Sequence, residues 1–104
     1  MVNPHRGEVE LLLDGQRHVA RLTLGALSEL EHELGADSLI ALIGRFEAGQ
    51  FSGRDVLAVL VAGLRGGGWQ GRAGDLLTVD IGDGAAGAAR KAAELLALAF
   101  RGAA

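Results

Sequence analysis

The sequence predicts an α+β fold, mostly α, in which an N-terminal β-hairpin packs on a small bundle of four to five helices. Two observations carry this. Asp14-Gly15 lies between two apolar-bearing runs, the strongest short-range signal of a hairpin. From Thr23 onward, leucine and alanine recur at spacings of three and four in stretches opened by Thr, Ser or Asp and mostly closed by Gly. With 104 residues, 49% hydrophobic and 22% charged, the chain reads as a single domain over residues 1–104 rather than a disordered tail. A domain this small leaves much of its surface wet, so partners are expected to supply some of its burial.

The hairpin is expected over residues 7–22. A two-residue turn pairs Leu13 with Gln16, Leu11 with His18, Val9 with Ala20 and Gly7 with Leu22. That register gathers the apolar side chains on one face and brings Glu8 opposite Arg21 on the other. A lone hairpin is marginal in water, so its apolar face needs a cover of helices.

A first helix is expected over about 23–34, capped by Thr23, with Leu22 able to staple onto Leu27 and a stripe of Leu24, Leu27, Leu30 and Leu34 ending at Gly35. Its outer face carries Glu29, Glu31, His32 and Glu33. A second, about 37–48, starts at Asp37 or Ser38 and buries Leu39, Leu42, Ile43 and Phe46 before Gly49. A third, about 52–65, opens on a Ser52/Asp55 approximation to a capping box, with Phe51 placed to staple Val56. Apolar residues from Val56 to Leu64 surround it on nearly all sides, which marks a central helix or one with a side reserved for a partner.

Gly66 to Gly68 end that helix and, with Gly71 and Gly74, suggest a mobile stretch around Trp69 and Arg72. Residues 75–80 read two ways. Leu77, Val79 and Ile81 alternate like a strand, while Asp75 is placed to cap a short helix, and the helix is favoured. A last helix, about 83–101, is capped by Asp83 and packs through Ala85, Ala88, Ala92, Leu95, Leu96 and Ala99.

Composition narrows the function. The chain has no cysteine, which removes disulfides, thiolate metal sites and cysteine nucleophiles together. A net charge of -3 disfavours nucleic acid and anionic lipid as partners. The longest apolar run, Val56 to Leu64, is about half the roughly 20 residues of a membrane span, and the first residues lack the apolar block of a secretory signal. No nucleic-acid or membrane role is expected.

Chemical motifs are thin. Gly82-Asp83-Gly84-Ala85-Ala86-Gly87 spells G-x-G-x-x-G, but a dinucleotide site also needs a second parallel strand and an acidic residue about 20 positions on. A helix start in a Gly/Ala-rich sequence accounts for it. Asp80, Asp83 and Gly84 lack the remaining carboxylates of a calcium loop, and His5, His18 and His32 lack zinc-motif spacing. Ser28, Ser38 and Ser52 have no nucleophile-elbow glycines. No enzyme activity, cofactor or metal is expected. Arg65, Trp69 and Arg72 are too few to form a single-strand nucleic-acid platform. A lone tryptophan among glycines is instead a candidate anchor for a protein partner. The contact set is Trp69, Arg65, Val56 and Val59. A small-residue stripe at Gly84, Ala88 and Ala92 permits close helix approach, within the chain or in a homo-oligomer.

Asn3-Pro4-His5-Arg6-Gly7-Glu8-Val9, Leu13-Asp14-Gly15 and Leu22-Thr23-Leu24-Gly25-Ala26-Leu27-Ser28-Glu29-Leu30-Glu31 resemble the gene transfer agent tail protein family. The likeness continues through Leu34-Gly35-Ala36-Asp37-Ser38-Leu39, Arg45-Phe46-Glu47-Ala48-Gly49, Ala62-Gly63-Leu64-Arg65-Gly66-Gly67-Gly68 and Ala93-Glu94-Leu95-Leu96-Ala97-Leu98-Ala99-Phe100. Between Trp69 and Asp83 the chain departs from the family pattern, which is more acidic and helix-forming there. The resemblance implies a small protein of a gene transfer agent or prophage tail cluster, labelled either tail tube protein or tail assembly chaperone. A tube subunit calls for a large sheet framework, so one hairpin and a majority of helix favour the chaperone label. The implied partners are tail proteins, the tape measure protein or the tube subunit, met in the bacterial cytoplasm, with retention in the particle left open. The competing reading is a generic dimerising adaptor that uses the hairpin edge or the small-residue helix.

Overall fold

The structure, a computed structural model, describes residues 2–35 and 38–101. Strands β1 (Glu8–Leu13) and β2 (Gln16–Arg21) form a two-stranded antiparallel sheet, followed by α1 (Leu24–Leu34), α2 (Leu39–Ala48), α3 (Gly53–Gly66), the single turn α4 (Ala73–Leu76) and α5 (Gly84–Arg101). The fold is the expected hairpin on a helical bundle.

Asp14 and Gly15 both have positive φ, 51° and 80°, which is the twist a two-residue hairpin turn needs. The register pairs Leu13 with Gln16, Leu11 with His18, Val9 with Ala20 and Glu8 with Arg21. The ladder stops there. Gly7, expected opposite Leu22, instead closes a one-turn 3₁₀ helix (Pro4–Arg6) at φ 77°. Val9, Leu11, Leu13 and Ala20 are buried beneath the helices, as is Leu22 just beyond the sheet.

Thr23 caps α1 by accepting from the Ala26 amide, and Ser38 caps α2 by accepting from Ala41. The alternative start at Asp37 lies outside the described residues. Leu24 is 86% exposed and leaves the predicted stripe, and Ala26 joins Leu30 in the core in its place. At the start of α3 the capping box is complete: Ser52 Oγ accepts from Asp55 N and Asp55 Oδ2 accepts from Ser52 N. Phe51, placed in sequence to staple Val56, stacks on Phe46 of α2 with ring centroids 4.7 Å apart.

Helix α3 is central, packed on β2, α1 and α5. Val59, Leu60, Ala62 and Leu64 are buried along it. Its glycine-rich end is a close approach rather than a loose linker. A Cβ on Gly66 would stand 2.0 Å from the Arg21 carbonyl oxygen, and one on Gly67 1.9 Å from that of Val19. In this register Val19 and Arg21 aim their backbone groups away from β1. The glycines therefore lie against the outer edge of β2.

The expected helix over 75–80 is a correction. Only the turn Ala73–Leu76 forms, with Asp75 inside it rather than at its cap, accepting from Arg72 N. The chain then runs back along β1: Asp14 N donates to the Asp80 carbonyl, Asp80 N donates to Asp14 Oδ1, Leu13 bridges Ile81, and Gly82 N donates to the Leu12 carbonyl. The alternation of Leu77, Val79 and Ile81 thus ends in a stub of a third strand. A helix here would leave those edge groups of β1 without these partners.

Asp83, expected to cap α5, immediately precedes it at φ 67° ahead of a Gly84 at φ 68°, and its carbonyl accepts from Gly87 N. Ala88, Ala92, Leu95 and Leu96 form the buried face of α5, whereas Ala85 is exposed. Leu95 reaches so close to α3 that a Cβ on Gly63 would meet its Cδ1 at 2.8 Å.

Candidate functional site

The side of α3 turned away from the hairpin carries Arg54, Leu57, Ala58, Val61 and Arg65, at the three- and four-residue steps that line up one face of a helix. Leu57, Ala58 and Val61 are only half buried. Facing them on α1 are Ser28, Glu29, His32 and Glu33, and α4 closes one end with Arg72 and Ala73. Together they enclose a groove of about 590 Å³. Its floor is aliphatic, with Arg54 and Arg65 at its two ends in line with it, and its α1 bank is acidic.

Arg65 and Glu29 reach across one end at 3.3 Å. Both side chains are about half exposed, so the pair contributes little to stability and serves to define the rim. At the opposite end of α3, Asp55 and Arg45 form a partly buried ion pair that belongs to the scaffold. Arg45 Nε and an Nη donate to the two carboxylate oxygens at 3.0 Å each. The Arg45 hydrogen bond, opposed by desolvation and supported by Ser52, holds the Asp55 carboxyl below its ordinary value.

The structure does not gather the four sequence-derived contact residues into one place. Arg65 lies on the rim of the groove. Val56 is half buried against the core. Val59 is wholly enclosed, 0% exposed, so nothing reaches it while α3 stays packed. Trp69 lies on the hairpin side, in a hollow of about 430 Å³ with Leu13, His18, Leu76 and Val79. Its indole folds over Gly71, where a Cβ would stand 2.1 Å from the ring. Packing thus explains the tryptophan's glycine neighbour. The groove residues Leu57 and Val61 were hidden in the apolar run of α3. The signal for them is the pair of arginines bracketing small and aliphatic residues at helical spacing.

A smaller apolar cleft of about 300 Å³ separates α2 from α5, lined by Ile43, Phe46, Ala93, Leu96 and Phe100. Two glycines of the G-x-G-x-x-G string have packing reasons: a Cβ on Gly82 would meet Leu12 at 3.0 Å, and one on Gly87 would meet Asp83 Cβ at 2.4 Å, while Gly84 stands in open space at φ 68°. Among the described residues no group of His, Asp and Glu is placed to hold a metal ion. No described helix is long and apolar enough to cross a membrane.

A family model described as phage tail tube protein, GTA-gp10, matches residues 6–102. Comparison with curated proteins and with solved structures gave no match.

Proposed function

Since the chain belongs to the phage tail tube protein family of gene transfer agents, we propose that it is a non-enzymatic, chaperone-like tail assembly protein. It binds a tail component, such as the tape measure protein, and keeps it soluble in the bacterial cytoplasm until the tube forms. The observation that carries the chaperone role is the state of the sheet edges. A wall built by pairing strands between subunits needs open edges. Here the outer edge of β2 lies against Gly66 and Gly67, and the turn end of β1 is bonded to residues 80–82. Among the described residues the short stretch of β1 between Glu8 and Leu12 and the Arg17 end of β2 are left for pairing. What the molecule offers instead is a helical groove.

The family's description favours a second reading, a structural component of the tail tube that uses that remaining stretch of β1. Co-expression separates the two. A tail component that precipitates when made alone should stay soluble when made with this chain and co-elute with it. Failure to solubilise any tail component, together with self-assembly of the chain into rings or tubes, would make it a wall subunit.

A further inference from the structure

Charges frame the α1–α3 groove, and part of them is not neutralised. Arg65 is engaged with Glu29. Arg54 at one end of the α3 floor, Arg72 just before α4, and Glu33 on the α1 bank make no ion pair among the described residues. Between Arg54 and Arg65, Leu57, Ala58 and Val61 present an aliphatic floor to water.

The walls decide what form of chain fits. Both are helices whose backbone groups are bonded internally, so the groove offers no ladder of donors and acceptors to an extended strand. A strand laid there would bury its own N–H and C=O groups unpaired, whereas a helix brings them already satisfied. The floor is also of helical dimensions: the 11 steps from Arg54 to Arg65 rise about 16 Å, three turns at about 1.5 Å per residue.

We propose that this groove receives an amphipathic helix of the bound tail component. Apolar residues of that helix at i, i+3 or i+4, and i+7 sit on Leu57, Ala58 and Val61. Carboxylates of that helix face Arg54 and Arg72, whose charges no described partner neutralises. This assignment rests on the tail-binding reading above.

The test uses the full chain, tagged and recovered from cells producing the particle. Arg54→Glu with Arg72→Glu reverses two exposed charges without touching the core, and unchanged thermal unfolding verifies the fold. The double variant should recover at least tenfold less of the tail protein that the unaltered chain recovers, whereas Arg54→Lys with Arg72→Lys should recover nearly as much. A photo-crosslinking residue at Ser28, on the acidic bank, should mark client residues that share one helical face. The same residue at Ile40, which is 82% exposed on α2, should mark none. Equal recovery by the Glu variant, crosslinks from Ile40 alone, or a Ser28 crosslink only to a second copy of this chain would overturn the groove while leaving tail binding intact. If the unaltered chain recovers no tail protein, the tail-binding reading falls, and the groove's occupant with it.

Discussion

Arg45 holds both carboxylate oxygens of Asp55 at 3.0 Å, and through that grip α2 is fastened to the first turn of α3. Asp55 also accepts from the Ser52 amide, so one side chain serves the helix cap and the inter-helix tie. Because it is only 8% exposed, removing it leaves a mostly buried guanidinium without this partner. Asp55→Ala is expected to cost about 2 kcal/mol of stability at neutral pH, measured by urea unfolding.

The same pair predicts an acid dependence with a definite sign. Folding lowers the Asp55 pKa from its ordinary 3.8. Its contribution is therefore complete above the unfolded-chain value, declines as pH falls below 3.8, and is lost once pH passes below the folded value. The stability gap between the unaltered chain and Asp55→Ala should narrow on titration from pH 5 towards pH 2. A gap that stays constant over that range would mean the carboxylate is not the source.

Two glycine substitutions should act in opposite directions. On Gly67 a methyl group would meet the Val19 carbonyl at 1.9 Å, backbone that has nowhere to move without parting α3 from β2. Gly67→Ala should cost more than about 2 kcal/mol. Gly44 lies inside α2 with open space where a Cβ would go. Gly44→Ala should stabilise by about 0.5–1 kcal/mol through helix propensity. Thermal melts of the two variants check the contrast.

The hydrogen bond from Asp80 N to Asp14 Oδ1 fastens the 77–82 segment to the hairpin turn. Asp14→Asn keeps an acceptor and a residue type that tolerates positive φ, so it should be nearly neutral. Asp14→Gly keeps the turn but loses the acceptor, and should cost about 1 kcal/mol. Hydrogen exchange at the Asp80 and Gly82 amides should speed up in the Gly variant alone. Trp69, the one tryptophan, lies in the same hollow and should report the loosening as a red shift of its emission.

Local signals made the hairpin register, the Thr23, Ser38 and Ser52 caps and the Gly35 and Gly49 stops legible in the sequence. Each is written in a few adjacent residues whose chemistry acts on neighbouring backbone. What escaped was set by distant partners. Gly66 and Gly67 read as a helix stop and the start of a mobile stretch because only the approach of β2 shows what they accommodate. Residues 75–80 read as helix in preference to strand because the edge of β1 that captures residues 80–82 lies more than sixty positions away. The groove was hidden for a related reason. Leu57 and Val61 look like core within an apolar run, and only the placement of α1 shows which side of α3 is left open. Arg65 alone among the sequence-derived contacts lies on that rim, while Val59 is consumed by packing.

The most direct measurement of the central claim is the copy number of this chain in purified particles, by quantitative mass spectrometry against the most abundant tail protein. A protein that holds a tail component until the tube forms should be scarce in finished particles, at least tenfold below that protein, and be recovered with tail components from producing cells. Copies equal to those of the most abundant tail protein would contradict the account and make the chain a subunit of the tube itself.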